Sequence, residues 1–261
     1  MSGTVVDSTG WRVLITGGAS GIGRRTAELV VEGGGRVVLL DRDAAGQEVA
    51  DALGPAAAFV PVDVRSRAAV AAAVARADEL LGGLDRVVNS AGVFRFSPFL
   101  DITPDDWAAT IDINLTGTFH VCQEVLPRLI AAGGGRIVNV ASVAGVRGGP
   151  NAAHYIASKW GLVGLTKALA IEFGPKGVVV NGVAPATIPE TGIGRSSLDQ
   201  KVEMGWGRDV AEAIANQERN YPLRRLGTSD DVARGIRYLL SDEAAWMTGQ
   251  ILSMDGGATA T

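Results

Sequence analysis

The sequence predicts an α/β fold, with a doubly wound parallel sheet of seven strands flanked by helices. Short apolar runs typical of buried strands alternate with longer helical patterns from residue 11 to residue 254, and a glycine-rich turn joins the first strand to the first helix. Strands that alternate with helices form parallel sheets with right-handed crossovers. No repeat or linker interrupts the alternation, so we expect a single domain over residues 1–261.

Composition narrows the class of protein. Hydrophobic residues make up 47% of the chain, enough for a substantial core, and the formal net charge is −4 without a basic block. Disordered and fibrous classes and a nucleic-acid partner are therefore disfavoured. One cysteine, Cys122, and two histidines leave almost nothing from which to build a Cys/His metal site. Because no apolar run could span a bilayer and residues 1–10 do not resemble a signal peptide, we expect a cytoplasmic protein without metal or membrane partner.

The first strand, turn and helix predict a phosphate-binding site. Residues 11–16 form an apolar run, and Arg24 to Glu32 follow the glycines as a helix. Glycines let the backbone approach a pyrophosphate closely, and a helix N-terminus supplies amide donors and a favourable dipole. The spacing Gly-xxx-Gly-x-Gly differs from the commoner Gly-x-Gly-xx-Gly, so a simple tight turn is the alternative. The turn residues that we expect to bind a cofactor are Gly17, Ser20, Gly21, Ile22 and Gly23.

The second strand, residues 36–41, supports the interpretation that the glycine-rich turn binds a dinucleotide. It ends in Asp41, at roughly the 20-residue offset where an acid can hydrogen-bond the adenosine ribose of NAD in a Rossmann fold. The same carboxylate would repel the 2′-phosphate of NADP. Arg42 is the opposing indication, because arginine can pair with that phosphate. We favour NAD, since the carboxylate must turn away before NADP can fit.

The rest of the chain continues the alternation. Thr103 and Pro104 are typical of an N-cap and a first helical position, and Pro127 is expected to bend the long helix that they begin. Ser229 is expected to cap the last helix. The patterns predict strands at residues 57–62, 85–90, 136–142, 178–184 and 250–254, and helices at residues 66–81, 104–132, 152–173 and 229–240.

One segment, residues 186–226, breaks this rhythm. It carries no strand pattern and is punctuated by glycines, with helical character only around Asp209 to Arg219. Connections of this length in compact domains are usually lids or binding loops. Because it follows the sixth strand, at the edge where ligands bind in open α/β sheets, we favour a substrate lid over a plain surface excursion.

Groups that can transfer a proton fall at the same predicted edge of the sheet. Tyr155 and Lys159 stand one turn apart on one face of a helix, and Ser142 ends the strand before them. A nearby ammonium favours the phenolate and lowers the pKa of tyrosine from about 10 toward the working range. Such pairs are also common on solvated helix faces. It is the serine, the pair and the dinucleotide site together that indicate hydride transfer.

These motifs make the chain resemble the classical short-chain dehydrogenase/reductase family from Thr16 to Gly257. Each motif is weak alone, whereas the set in this order is specific. With Asp41, the resemblance implies an NAD-dependent enzyme that interconverts a secondary alcohol and a ketone. The motifs occur in the family's order: Thr16-Gly17-xxx-Gly21-Ile22-Gly23, Asp63, Asn89-x-Ala91-Gly92, Asn114, Ser142, Tyr155-xxx-Lys159 and Pro185.

The resemblance implies roles in the reaction. Tyr155 would be the general base in alcohol oxidation and the general acid in carbonyl reduction. Lys159 would bind the nicotinamide ribose and, with the cationic ring, depress the pKa of the tyrosine. Ser142 would hydrogen-bond the substrate oxygen as charge develops on it. Asn114 would hold a water molecule that links Lys159 to solvent.

The resemblance also implies cofactor contacts, and three positions depart from the family's pattern. Asp63 and Val64 would contact the adenine, and the backbone of Ile188 the nicotinamide carboxamide. The remaining cofactor residues implied are Asn89, Ala91, Gly92, Pro185 and the pair Tyr155 and Lys159. The departures are Ser90 in place of a second asparagine, Ala186 in place of glycine, and Glu190 in place of a threonine, with Thr191 next.

The substrate pocket is expected to be mostly apolar. Its predicted lining includes Val143, Phe94, His154 and Trp206, and no arginine is clearly placed to clamp a carboxylate. Adjacent helix residues face different directions, so His154 is interpreted as packing or substrate lining and not as catalytic. This lining favours a small alcohol or ketone of modest polarity as the partner.

Two alternatives remain open, and the assembly is inferred only from resemblance. One alternative is an NADP-dependent 3-oxoacyl-(acyl carrier protein) reductase, which Asp41 disfavours and which Arg128, Arg136 and Lys176 support only weakly. The other is a sensor or scaffold that binds NAD without catalysis, which the complete set of proton-transfer residues disfavours. By resemblance we expect a homotetramer that associates through the two long helices.

Overall fold

The computed structural model describes residues 7–260, and its central element is one parallel sheet of seven strands. The sheet has the order β3-β2-β1-β4-β5-β6-β7, which confirms the predicted doubly wound α/β fold in a single domain. Residues 1–6, part of the N-terminal stretch interpreted as unlike a signal peptide, lie outside the described residues, as does residue 261. The strands are β1 (Arg12–Thr16), β2 (Arg36–Asp41), β3 (Ala57–Pro61), β4 (Arg86–Asn89), β5 (Gly135–Val140), β6 (Val178–Pro185) and β7 (Ile251–Met254).

Helices cover both faces of the sheet. Helices α1 and α9 pack together on one side, and α3 and α5 on the other. None of the helices between residues 7 and 260 is long and apolar enough to cross a membrane. The helices are α1 (Gly21–Glu32), α2 (Ala45–Leu53), α3 (Arg67–Leu81), α4 (Pro104–Ile111), α5 (Gly117–Ala131), α6 (Ala153–Phe173), α7 (Gly192–Glu203), α8 (Val210–Glu218) and α9 (Ser229–Leu240).

The strands are apolar on both faces because both faces are covered. Along β1, Leu14 enters one buried cluster, whereas Val13 and Ile15 enter the other, as the two-residue period of a strand requires. Val74 of α3 and Val125 of α5 complete the first cluster, and residues of α1 and α9 complete the second. Near-continuous apolar strands are typical of parallel sheets buried in this way. Polar functional groups are therefore left to the loops beyond the strand ends.

The long helix predicted at residues 104–132 is present and contains a π-helical turn, which does not lie at Pro127. A π-helical segment, Asp112–Thr116, separates α4 from α5, while α5 continues through Pro127 to Ala131. The segment presents Asn114 inward, where its side-chain amide bonds the backbone of Val93. Such π segments within helices occur frequently at functional sites. The predicted helix is therefore confirmed over residues 104–131, and its π-helical turn is a feature that the sequence did not predict.

Helix starts differ from the prediction at two places, and two helices were not predicted. Thr228, and not Ser229, caps α9, in a capping box with Asp231. Helix α1 begins at Gly21, so the glycine-rich turn includes its first turn. The unpredicted helices, α2 and α7, both begin with small residues that carry little helical pattern of their own. Thr103 caps α4 as predicted, its hydroxyl accepting from the amide of Asp106 at 3.1 Å.

Candidate active site

A cavity of about 700 Å³ opens at the carboxyl edge of the sheet, within the usual size range of small-molecule sites. Its walls include Asp41 at the end of β2 and Pro185 at the end of β6. The strand order reverses between β1 and β4, and residues that follow each of these strands, Gly17 and Ser90, also line the cavity. Ligands of open α/β sheets bind at such a reversal point.

The glycine-rich turn forms one end of the cavity and fits a phosphate group. Gly17 has φ +67°, and a Cβ atom there would lie 2.8 Å from the amide nitrogen of Ala91. Gly21 has φ +53° and faces Thr191, whose Cγ2 would lie 3.0 Å from an added Cβ. The Ser20 side chain makes no capping bond to α1, so the first amides of that helix keep their donors for a ligand.

Gly23 lies where α1 packs against the glycine-rich turn and is not part of the cavity wall. A Cβ atom at this position would lie only 2.2 Å from the carbonyl oxygen of Gly17, and Gly23 does not line the cavity. The glycine lets α1 pack directly against the turn. Gly17, Ser20, Gly21 and Ile22 do line the cavity, and a contact of Gly23 with the cofactor stays a prediction.

Acidic groups line the cavity beyond β2 and β3. The carboxylate of Asp41 accepts from the amide of Ala19 with one oxygen and from the amide of Asp43 with the other, each at 3.1 Å. Asp63 pairs with Arg65, whose guanidinium hydrogen bonds hold the pKa of that carboxyl below its usual value. The predicted residues Arg42 and Val64 line the same part of the cavity.

Ser142, Tyr155 and Lys159 all line the cavity. Ser142 follows β5, and the other two lie on α6, with Tyr155 only 7% exposed. The Lys159 ammonium donates to the carbonyl of Val140 at 2.9 Å and lies 5.7 Å from the centroid of the tyrosine ring. The residues predicted to exchange protons are therefore brought together at one wall.

In this cluster the pKa of Tyr155 is shifted in the direction opposite to the one expected from the sequence. Burial raises the pKa of Tyr155, and its hydrogen bond with Ser142 only partly opposes this. Burial lowers the pKa of Lys159 to about 8. The expected lowering of the tyrosine pKa by the lysine does not occur in the chain by itself, because desolvation of the buried phenolate dominates. At neutral pH the tyrosine is protonated.

Asn114 lies behind the cavity wall. Its Oδ1 accepts from the amide of Val93 at 2.8 Å, and its Nδ2 donates to the carbonyl of Val93 and to Ser158 Oγ, both at 3.0 Å. Ser158 Oγ in turn donates to the carbonyl of Tyr155 at 2.7 Å. The side chain thus ties the loop after β4 to α6, and Asn114 does not itself line the cavity.

Two further predicted residues have side chains outside the cavity. Asn89 is buried and donates to Asn139 Oδ1 at 2.9 Å, within the core between strands and helices. His154 is fully buried, and its ring nitrogens have no hydrogen-bond partner among residues 7–260. Neither residue lines the cavity. Both side chains are directed into packed interiors, and the expected contacts of Asn89 with the cofactor and of His154 with the substrate stay predictions.

The departures from the family's pattern near residue 190 have a structural explanation. Glu190 Oε1 accepts from the amide of Ser229 at 2.5 Å, at the N-terminus of α9, where a carboxylate is favourable. Thr191 instead lines the cavity and caps α7, its hydroxyl accepting from the amide of Gly194 at 2.9 Å. The threonine displaced by one position therefore still faces the site. The predicted residues Ala91, Gly92, Pro185 and Ile188 line the cavity as well.

The opposite end of the cavity is aromatic and cationic. Phe94 packs edge-on against the ring of Tyr155 with centroids 4.7 Å apart, and the predicted Val143 and Trp206 line this end. Sequence reasoning missed two cations in the wall, Arg147 and Lys201. The available signal for Lys201 was helical spacing, because Gly194, Ser197, Leu198 and Lys201 share the buried face of α7.

A glycine turn at a helix N-terminus, an acid after β2 and a Ser–Tyr–Lys cluster in one cavity are features of a dinucleotide-binding oxidoreductase. A family model described as enoyl-(acyl carrier protein) reductase matches residues 17–259. The chain belongs to the classical short-chain dehydrogenase/reductase family, an oxidoreductase family that uses nicotinamide cofactors.

Known proteins of similar sequence and structure cover nearly the whole chain. The 2-(S)-hydroxypropyl-CoM dehydrogenase 3 of Xanthobacter autotrophicus is 36% identical, over 95% of this chain and 96% of the relative. A solved structure of a variant of actinorhodin polyketide ketoreductase with NADPH has a TM-score of 0.91, 34% identity and coverages of 96% and 98%. NAD+-bound xylitol dehydrogenase has a TM-score of 0.89, 31% identity and coverages of 95% and 99%. Solved relatives thus carry either cofactor.

Proposed function

We propose that the protein is an NAD-dependent oxidoreductase that interconverts a secondary alcohol and a ketone. The observation that supports it most is the shared cavity, in which Ser142, Tyr155 and Lys159 face the same space as the glycine turn of α1. A bound nicotinamide dinucleotide would accept or donate the hydride. The protein's own residues would then exchange the proton and stabilise charge on the substrate oxygen.

Tyr155 is the proposed proton donor and acceptor. In carbonyl reduction its hydroxyl gives a proton to the ketone oxygen, and in alcohol oxidation the phenolate takes one. The raised pKa of Tyr155 suits the reductive direction, because the group is protonated at neutral pH. Oxidation requires added positive charge near the ring, which Lys159 and a cationic cofactor would supply together.

Ser142 is proposed to bind the substrate, and Asn114 is proposed to hold the surrounding backbone in place. The Ser142 hydroxyl would donate to the substrate oxygen and strengthen that bond as negative charge develops. Asn114 is proposed as a positioning residue, since its bonds to Val93 and Ser158 hold the loop after β4 against the helix of Tyr155. A water relay from Lys159 past Asn114 stays a prediction.

Asp41 supports NAD as the cofactor. Both of its carboxylate oxygens accept backbone amides, so turning the group away from a 2′-phosphate would break two hydrogen bonds. The exposed Arg42 is the opposing feature, as it lines the same part of the cavity. We propose that Gly17, Ser20, Gly21 and Ile22 bind the pyrophosphate; the other proposed cofactor residues are Asp63, Val64, Ala91, Gly92, Tyr155, Lys159, Pro185, Ile188 and Thr191.

The runner-up is an NADP-dependent 3-oxoacyl-(acyl carrier protein) reductase. The description of the matching family model, which refers to acyl carrier protein, and the NADPH in one similar structure favour it. The hydrogen-bonded Asp41 disfavours it. A sensor that binds NAD without catalysis is disfavoured by the complete set of proton-transfer residues at the cavity.

The test is NAD reduction by the purified protein with cyclic and linear secondary alcohols, vicinal diols, polyols and 3-hydroxyacyl thioesters, with NADP in parallel. We expect NADH formation with at least one simple secondary alcohol. Turnover confined to thioesters with NADP would establish the runner-up instead. NADH binding without turnover of any compound would favour the non-catalytic protein.

The proposed assembly rests on exposed apolar side chains. Helices α4, α5 and α6 expose large apolar side chains, which favours association through them into the expected homotetramer. Light scattering of the purified protein would test this. A cytoplasmic location stays a prediction. The exposed side chains on these helices are Trp107, Phe119, Trp160 and Ile171.

A further inference from the structure

Lys201 is a buried lysine in the wall of the cavity. It lies near the C-terminal end of α7, is 8% exposed, and its ammonium lies 5.8 Å from the centroid of the Trp206 ring. Burial, and to a smaller extent the charge of Arg147, lower its pKa to about 8. Among residues 7–260, no carboxylate contributes to holding its charge.

This environment is costly for an ammonium, and within the described part of the chain only the Trp206 ring offsets part of the cost. Charged groups removed from water are normally paired or hydrogen-bonded. The other buried lysine at the cavity, Lys159, donates to the carbonyl of Val140. For Lys201 no protein acceptor is found between residues 7 and 260, whereas the ammonium faces a cavity that can hold a ligand. An unpaired cation in a cleft is typical of a functional site.

Arg147 brings a second positive charge to the same end of the cavity. It lies in the connection between Ser142 and Tyr155 and lines the cavity. One of its nitrogens donates to the carbonyl of Ala258 at 3.3 Å, and Asp255 lies close enough to feel its charge. Asp255 itself is occupied by hydrogen bonds within its own turn. The remaining donors of the guanidinium are thus free to meet a ligand.

The phosphates of a dinucleotide do not account for Lys201. The start of α7 adjoins the glycine turn, since Thr191 contacts Gly21. Lys201 lies further along that helix, roughly 13 Å from Gly192 at 1.5 Å per residue. Lys201 is therefore separated along α7 from the predicted pyrophosphate site, and its neighbours are Trp206 and Arg147.

We propose that Lys201, supported by Arg147, binds an oxyanion of the substrate, a carboxylate or a sulfonate, and so holds the reacting carbon toward Tyr155. The proposal rests on the proposed oxidoreductase function and specifies its substrate as an anionic alcohol or ketone. The aromatic wall of Phe94, Phe96 and Trp206 fits an apolar carbon chain between the two polar ends. Such a substrate would differ from the expected alcohol or ketone of modest polarity, for which the sequence indicated no cationic clamp.

Calorimetric binding to the full-length protein saturated with NADH tests the proposal. The probes are acetoacetate, 4-oxopentanoate and 6-oxoheptanoate, each compared with its methyl ester, and 3-oxobutane-1-sulfonate to compare the two oxyanions. We expect at least one anion to bind about tenfold more tightly than its neutral counterpart, as for a charge-assisted hydrogen bond. Equal affinities of the acids and esters, or no binding by either, would overturn the proposal.

Variants assign the effect to the lysine. Lys201→Met should abolish the preference for the acid, and Lys201→Arg should restore most of it. Lys176→Met is the matched control, because Lys176 also lies over an aromatic ring, Phe173, but is exposed and outside the cavity. A preference that survives in Lys201→Met, with the fold verified by circular dichroism, would rule out this site.

The same experiment separates this proposal from the proposed function. If acids bind through Lys201 but no ketone in the series oxidises NADH, the anion site stands and the assignment as an oxidoreductase of this substrate class fails. If neutral ketones are reduced as well as the acids and Lys201→Met changes neither, the oxidoreductase stands and the anion site fails.

Discussion

The two ends of the cavity are built differently. The end formed by the glycine turn relies on backbone geometry: Gly17 and Gly21 have positive φ, and Ser20 leaves the helix amides open. The end under α7 and α8 relies on side chains, with the buried Lys201 beside the half-exposed Trp206. A dinucleotide end of this kind can be shared across a family, whereas the other end is free to vary with the substrate.

The largest expected effect is a loss of turnover when the proton-exchanging group of the cavity is removed. Tyr155→Phe removes the hydroxyl that exchanges the proton, and we expect turnover to fall by about 10²–10⁴-fold while NADH still binds. Steady-state kinetics and NADH fluorescence titration measure the two effects separately. Tyr238→Phe, at an exposed tyrosine of α9, is the control and should keep full activity. Unchanged turnover in Tyr155→Phe would contradict the proposed mechanism.

The next prediction tests whether the glycine turn needs the close backbone contact between Gly23 and Gly17. In Gly23→Ala the added methyl would lie 2.2 Å from the Gly17 carbonyl oxygen, so α1 must move away from the turn. We expect a loss of about 1–3 kcal/mol in the free energy of unfolding, with weaker NADH binding. Urea denaturation and fluorescence titration measure these quantities.

Gly174→Ala is the matched control for that variant. Gly174 follows α6 with φ −53°, and an added Cβ atom would meet nothing within 4 Å. We expect a change within about 0.5 kcal/mol. Equal stability of the two variants would mean that α1 does not depend on close contact at Gly23.

The sequence predicted the glycine-turn end of the cavity better than the end under α7 and α8, because the first depends on backbone geometry and the second on side chains. The glycine turn and Asp41 could be located because their function requires particular residue types at fixed spacing. Helix α7 was missed because Gly192 and Gly194 hide its helical pattern, and with it the position of Lys201. The burial of His154 also could not be predicted, since neighbours that enclose a side chain come from distant parts of the chain.

Asp41→Ala tests whether Asp41 determines the preference for NAD over NADP. Removing the carboxylate removes both the ribose partner and the repulsion of a 2′-phosphate, so we expect the ratio of kcat/KM for NAD over NADP to fall by about tenfold, as for one charge-assisted bond. Kinetics with both cofactors measure the ratio. Asp51→Ala, at an exposed position of α2, is the control. A ratio that is unchanged in Asp41→Ala would place the determinant elsewhere, with Arg42 as the next residue to replace.

The smallest effect concerns the junction where the lid ends and α9 begins. Asp231 accepts from the Arg225 guanidinium at 2.6 Å and from the Thr228 amide at 2.9 Å, and chiefly the first of these bonds lowers its pKa to about 2. Asp231→Asn should reduce the free energy of unfolding by about 1 kcal/mol, as for loss of a helix cap.

The pH dependence identifies the source of that difference. Because the folded-state pKa is lowered, the contribution of the Asp231 carboxylate is present above its unfolded pKa of about 3.9 and is lost as pH falls toward 2. The gap in stability between wild type and Asp231→Asn, measured by urea denaturation, should therefore narrow between about pH 4 and pH 2. A gap that is constant across this range would show that the cap acts through its shape and not its charge.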